Sequence, residues 1–204
     1  TVYSALSDVP VALMSPEPAR FFAVQGGLRA ADGQPEANHL ATFTAAAAVR
    51  EGLARAGFAV HTHAIGDRSV RVAIGMLEEA KRLNPDAQHS MAHAQLISPE
   101  DQVRIGKAGL GVVFTHAWTV VNPPYDFSVI PFFERIDGKD LYRDGYYMRN
   151  VYPTAAIARL GGIVASGSDA PVEERNPRPF HNLEQALTRA NPDPAIPGVL
   201  NAAE

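Results

Sequence analysis

Short apolar runs alternate with stretches of helical period along this chain. VALM at 11–14 and FFAV at 21–24 are bounded by Pro or Gly and predict buried strands. Between Asn38 and Ala56, Leu40, Phe43, Ala47 and Leu53 fall near helical spacing, and Gly57 is a natural stop. FAVHTH (58–63) predicts the next strand. Asp67 is expected to cap a helix whose inner face is Val70, Ala73, Ile74, Leu77 and Ala80, with Asn84-Pro85 ending it. HSMAHAQL (89–96) predicts another strand. Ser98-Pro99-Glu100-Asp101 then marks a helix start, with a cap, a first-turn proline and acids at the positive end of the dipole. GVVFTH (111–116) is the following strand. Residues 117–148 form a long aromatic and proline-rich excursion containing NPPYDF and YRDGYYM, a length that points to a functional or partly helical segment. Pro153 opens a short helix to Leu160, GGIVASGSDA supplies a strand and turn, and Phe180 to Arg189 a last helix.

Strand–helix alternation with strands apolar on both faces predicts an α/β fold, a parallel sheet covered by helices. The pattern gives about five or six strands. A complete (β/α)8 barrel typically takes about 250 residues, and this chain has 204, read as a single domain over 1–204. With 46% hydrophobic and 20% charged residues it is an ordinary globular chain. A net charge of −4 leaves no basic excess to neutralise phosphates, so nucleic acid is not an expected partner. There are no cysteines, so disulfides and thiolate metal sites are excluded, and any metal must be held by His, Asp, Glu or a modified Lys. TVYSALSDVP has neither a basic region nor a long apolar run and is not expected to be a signal peptide. No run approaches the roughly 20 apolar residues of a membrane helix.

In a parallel α/β fold reactive groups gather beyond the C-terminal ends of the strands. Here successive strands finish in His61 and His63, in His93, in His116 and in Asp169. One such His is most often structural; recurrence at consecutive strand ends points to a site. Imidazoles and a carboxylate are a ligand set for zinc-like ions. His61 and His63 share the strand period of two and so one face. His63 lies nearer the strand end, which leaves His61 a packing or supporting role behind the ligands. Asp67 is read as a helix cap that also supports the site, rather than as a ligand. Asp169 in SGSDAPV is either an exposed acid above the sheet or the start of an Asx turn. His89 shares the parity of Met91 and His93 but begins its strand and is read as structural.

HAIGD at 63–67, HAQLISPED at 93–101 and GSDAPV at 167–172 together resemble the amidohydrolase superfamily, in particular its YtcJ-like branch (amidohydrolase family 3). The order and spacing fit from near residue 20 to near 190. The resemblance implies a partial TIM-barrel-like parallel sheet, roughly strands 3 or 4 to 8, lacking strand 1 and the small β-sandwich. On this basis the chain is expected to be a fragment of a metal-dependent hydrolase barrel. It implies metal ligation by His63, His93 and Asp169, with Asp169 also the catalytic acid–base group. The implied cofactor is a divalent ion, zinc in the first place, bound weakly or absent in a fragment. Relatives often carry an acid where this chain has Ala92. Residues 20–27 (RFFAVQGG) offer no lysine for carboxylation, so a bridging ligand and a two-metal centre are not expected.

The expected activity is metal-assisted hydrolysis of an amide, formamide or cyclic C–N bond. Gln25, Gln95, His116 and Trp118 are the expected substrate contacts. The alternative is a non-catalytic, exoenzyme-regulator-like protein on the same scaffold. The expected partner is a small-molecule substrate, with neither nucleic acid nor membrane. Open sheet edges predict self-association. The sequence leaves the localisation open, with the cytoplasm favoured.

Overall fold

A computed structural model describes residues 51–130, 135, 145–170 and 178–196. The expected strands at 11–14 and 21–24, most of the 38–56 helix, and Gln25 lie outside the described residues. So do parts of the 117–148 excursion and of the 167–172 motif.

Four short parallel strands form one sheet in sequence order: β1 (His61–Ala64), β2 (Ser90–His93), β3 (Gly111–Phe114) and β4 (Ile163–Ser166). Their register is His61 with Ser90, Met91 with Val112, and Val112 with Val164. The connections are helical: α1 (Asp67–Leu83) after β1, and α2 (Pro99–Ala108) after β2. Between β3 and β4 come a 3-10 turn (His116–Trp118), α3 (Pro123–Val129), α4 (Tyr146–Asn150) and α5 (Thr154–Arg159). α6 (Pro179–Thr188) follows β4 and packs on the 3-10 turn, where Asn182 Oδ1 accepts from Ala117 N at 3.0 Å. Parallel neighbours in sequence order are consecutive β/α units, because a parallel partner can be reached only by a crossover.

The inner face of α1 is as its periodicity predicts: Val70, Ala73, Ile74, Leu77 and Ala80 are buried. They join Ala64, Met91, Ile105, Leu110, Val112 and Phe114 in one core. Asp67 does not cap this helix. Gly66 holds the N-cap position, and Asp67, the first helical residue, turns its Oδ1 to Arg68 N at 2.7 Å. The reason is the extended backbone at Gly66 (φ −71°, ψ 158°), which starts the helix one residue early and leaves Asp67 in the first turn, at the positive end of the dipole. At α2 the expectation holds. Ser98 accepts from Asp101 N, and Gly109, in the left-handed region at φ 60°, ends the helix. Asp101 is 1% exposed, yet its carboxylate is paired with Arg71 Nε at 2.8 Å and Arg104 Nη1 at 3.0 Å, so α1 and α2 are tied by a satisfied buried charge.

Each strand is covered by helices on one face only among the described residues. Thr62 and Ala64 are buried beneath α1, whereas His61 is exposed and His63 half-buried. On β4, Ile163 and Ala165 are open. The expected double-sided burial is therefore not observed here. The strands are also shorter than the apolar runs: β2 ends at His93 because His93 and Ala94 take left-handed φ values of 66° and 45°. β3 stops at Phe114, which puts His116 in the 3-10 turn rather than at a strand end.

Candidate metal and substrate site

The candidate ligands meet at the C-terminal edge of the sheet, and a break in strand geometry brings them there. In a parallel ladder, paired residues share a face. His63 pairs with Ala92, and Ala64 with His93. Simple alternation would therefore put the His93 ring with Met91, under the helices. The left-handed backbone at His93 and Ala94 swings it back. The His93 and His63 ring centroids lie 4.4 Å apart, edge to face. A non-glycine residue in this region is strained by about 1–3 kcal/mol, a cost that surrounding contacts must offset. Those contacts are present: Ala94 N donates to Ala64 O at 2.7 Å, His93 Nδ1 lies 3.0 Å from Thr115 Oγ1, and the Trp118 indole stacks on the His93 ring at 4.7 Å. His93 is thus fixed in position and tilt.

Asp169 also takes a left-handed φ, 57°, and its Oδ1 stands 3.8 Å from His93 Nε2. Two zinc donors bound at about 2.0 Å in a tetrahedral arrangement are about 3.3 Å apart, so these two atoms are spaced a few tenths of an ångström too widely to share an ion. The pairing itself suits one: Nε2 and a carboxylate oxygen face each other while Nδ1 is held from behind. Among the described residues, however, no group of three or more His, Asp or Glu is gathered closely enough to hold a metal ion. His63 meets His93 through ring packing. The donors are therefore right in kind, a carboxylate facing one imidazole with a second imidazole beside it, but among the described residues they are not drawn together around one ion position.

The supporting residues divide. His61 Nδ1 lies 2.7 Å from Ser90 Oγ, at the far end of β1 from the ligands. His89 is structural as expected: Nδ1 accepts from Val60 N at 3.0 Å and Nε2 donates to Asn84 O at 3.0 Å. His116 Nδ1 lies 2.9 Å from Ser166 Oγ, joining β3 to β4. Its Nε2 is buried with no hydrogen-bond partner among the described residues. Burial first, and then the charge of Arg189, lower its pKa to about 4.

Beside Trp118 opens a cavity of about 370 Å³, with Gln95, Tyr125, Asp126, Tyr147 and Tyr152 in its walls. Gln95 and Trp118 line this cavity, and His116 does not. The cavity's polar groups form one chain. Tyr125 Oη donates to Gln95 Oε1 at 2.8 Å, Gln95 Nε2 donates to Tyr147 Oη at 3.0 Å, and Tyr147 Oη donates to Asp126 Oδ1 at 3.0 Å. Asp126 Oδ2 accepts from Asn122 N at 2.9 Å. Reading residue by residue from strand ends missed Tyr125, Asp126 and Tyr147. Their signal was the density of aromatics in NPPYDF and YRDGYYM, inside the segment whose length marked it as functional.

Consecutive β/α units place imidazole and carboxylate side chains at the C-terminal rim of one parallel sheet. The chain belongs to the amidohydrolase family, whose model matches residues 6–198. It is 28% identical over 92 residues to the exoenzymes regulatory protein AepA of Pectobacterium carotovorum subsp. carotovorum, a match covering 43% of this chain and 20% of that protein. The crystal structure of an uncharacterized metal-dependent hydrolase from Pyrococcus furiosus matches its fold with a TM-score of 0.53 at 20% identity, over 75% of this chain and 28% of that one. The chain therefore spans well under a third of each relative's length. Among the described residues no helix is long and apolar enough to cross a membrane.

Proposed function

We propose that this chain carries the rim of a hydrolase that cleaves an amide, formamide or cyclic C–N bond with a metal-activated water, in the YtcJ-like branch of the family. The observation that carries the reading is the convergence of His63, His93 and Asp169, from separate β/α units, at one edge of the sheet. His93 and Asp169 would hold the ion, zinc by the chemistry of the donors, with His63 beside them. A bound ion lowers the pKa of water toward neutrality and polarises a carbonyl. Asp169 takes the proton of the attacking water as its oxygen bonds to the carbonyl carbon, and returns it to the nitrogen as the C–N bond breaks. Thr115 and Trp118 keep His93 from rotating, and the adjoining cavity receives the substrate.

Metal analysis and hydrolysis of an N-formyl or N-acyl amine series test this on the longest available protein. His93→Ala is expected to lower metal content, and Asp169→Asn to lose at least about a hundredfold in rate, the scale of one general acid–base group. Unchanged metal content in His63→Ala and His93→Ala together, with unchanged hydrolysis, would sink it. The similarity to AepA and the presence of Ala92 support a second reading, a regulatory protein on this scaffold. Turnover of any N-acyl substrate would end that one.

A further inference from the structure

α6 is built the opposite way round from α1. The residues it buries are polar, Asn182 and Gln185, with Arg189 just beyond its end, while Phe180, Leu183 and Leu187 are exposed. Among the described residues, none of its side chains belongs to the hydrophobic core. Its hold on the 116–121 stretch is polar, and the hydrogen bonds fall on both sides of one residue. Asn182 Oδ1 accepts from Ala117 N at 3.0 Å, and Asn191 Nδ2 donates to Val121 O at 2.7 Å. Arg189 Nη2 donates to Tyr152 O at 3.1 Å, which ties the same segment to the cavity wall. Between the two carboxamide bonds stands Trp118, whose indole stacks on His93 at 4.7 Å. A contact held by a few hydrogen bonds opens at lower free energy than one held by buried apolar area.

We propose that the 178–196 segment is a clamp on the rim, with Asn182 and Asn191 as positioning residues that hold Trp118 against His93. Each acts by fixing a backbone atom at one end of the Ala117–Val121 stretch, so that the indole between them stays at stacking distance. Within the stretch, Trp118 N donates to Thr115 O at 2.9 Å and Thr119 N to His116 O at 3.0 Å. These bonds keep its shape and leave its place to the clamp. Opening the clamp releases the His93 ring on its Trp118 side, while the Thr115 contact remains. The tilt of a rim imidazole is thereby coupled to the docking of the helix that follows β4. This inference deepens the hydrolase reading, as control of the same site, and rests on it for the chemistry of the rim. The hold on Trp118 does not depend on turnover.

Amide hydrogen exchange and the fluorescence of Trp118, the only tryptophan in the 204-residue chain, read the clamp without metal or substrate. The informative amides are those of Trp118 and Thr119, which bond within the stretch and not to the clamp. Asn182→Leu removes a hydrogen bond at nearly constant side-chain size. It is expected to speed their exchange about fivefold, the change in open population for one lost hydrogen bond of ordinary strength, and to raise acrylamide quenching of Trp118. The Val70 amide, bonded to Gly66 O in α1, is expected to keep its wild-type rate. Asn182→Asp keeps an acceptor for Ala117 N and is expected to restore slow exchange. Glu184→Ala, on the exposed face of α6, is expected to leave both readouts unchanged. If Asn182→Leu lacks the wild-type far-ultraviolet circular dichroism, Asn191→Ala is read by the same criteria. Unchanged exchange in the folded variant, equal acceleration at Val70, an effect of the same size in Glu184→Ala, or no recovery in Asn182→Asp overturns the proposal. A working clamp in a protein that hydrolyses no amide or formamide would count against the hydrolase reading alone.

Discussion

His116 should make this protein lose stability as the pH falls, and the size of the loss can be worked out. Burial and Arg189 lower its folded pKa to about 4 from the ordinary 6.5. A histidine with a depressed folded pKa binds its proton more readily when the chain is unfolded. Stability is therefore complete above about pH 6.5 and drains away as pH falls toward 4. At about 1.36 kcal/mol per pKa unit, the full window corresponds to roughly 3 kcal/mol, and the part between pH 8 and pH 5 to roughly 2 kcal/mol. Other titrating groups add their own slopes, so the test is a difference. Urea unfolding of chelator-treated protein would be followed at pH 8, 6.5 and 5 for the wild type and for His116→Gln, whose amide can still reach Ser166. The variant is expected to lose about 2 kcal/mol less than the wild type between pH 8 and 5. Parallel stability–pH curves for the two proteins would refute the account of His116 as a buried neutral imidazole.

Tyr147→Phe removes a hydroxyl that links Gln95 to Asp126 in a 1%-exposed position. It is expected to cost about 1.5–3 kcal/mol, the range for a hydrogen bond to a charged group, read from the denaturant midpoint, and a cost under about 0.5 kcal/mol would contradict the network. Ile163 is 48% exposed on an outer strand of the described sheet, and Phe180 and Leu187 are over 80% exposed on α6. Light scattering of this 204-residue chain is expected to show self-association through such surfaces; a clean monomer that binds no apolar dye would contradict it.

Much of the scaffold was legible because it repeats local rules. The inner face of α1 follows from period 3.6, and the start of α2 from Ser98, Pro99 and two acids. That the strands run parallel follows from strand–helix alternation. Asp67 was misjudged because a helix start depends on which residue first turns, and side-chain chemistry does not set that by itself. The face reached by His93 could not be read from its parity either, since two left-handed residues reverse it.

The sequence by itself determined the residue types at the rim, their order along the chain, and the helices and strands that carry them, because these depend on neighbours within a turn or a strand. Tertiary structure alone decided which rings and carboxylates touch. The stacking of Trp118 on His93, the 3.8 Å approach of Asp169, and the Gln95–Tyr147–Asp126 chain join residues 21 to 76 positions apart. Distances across such separations are set by packing and by a few strained dihedrals, and no local pattern encodes them.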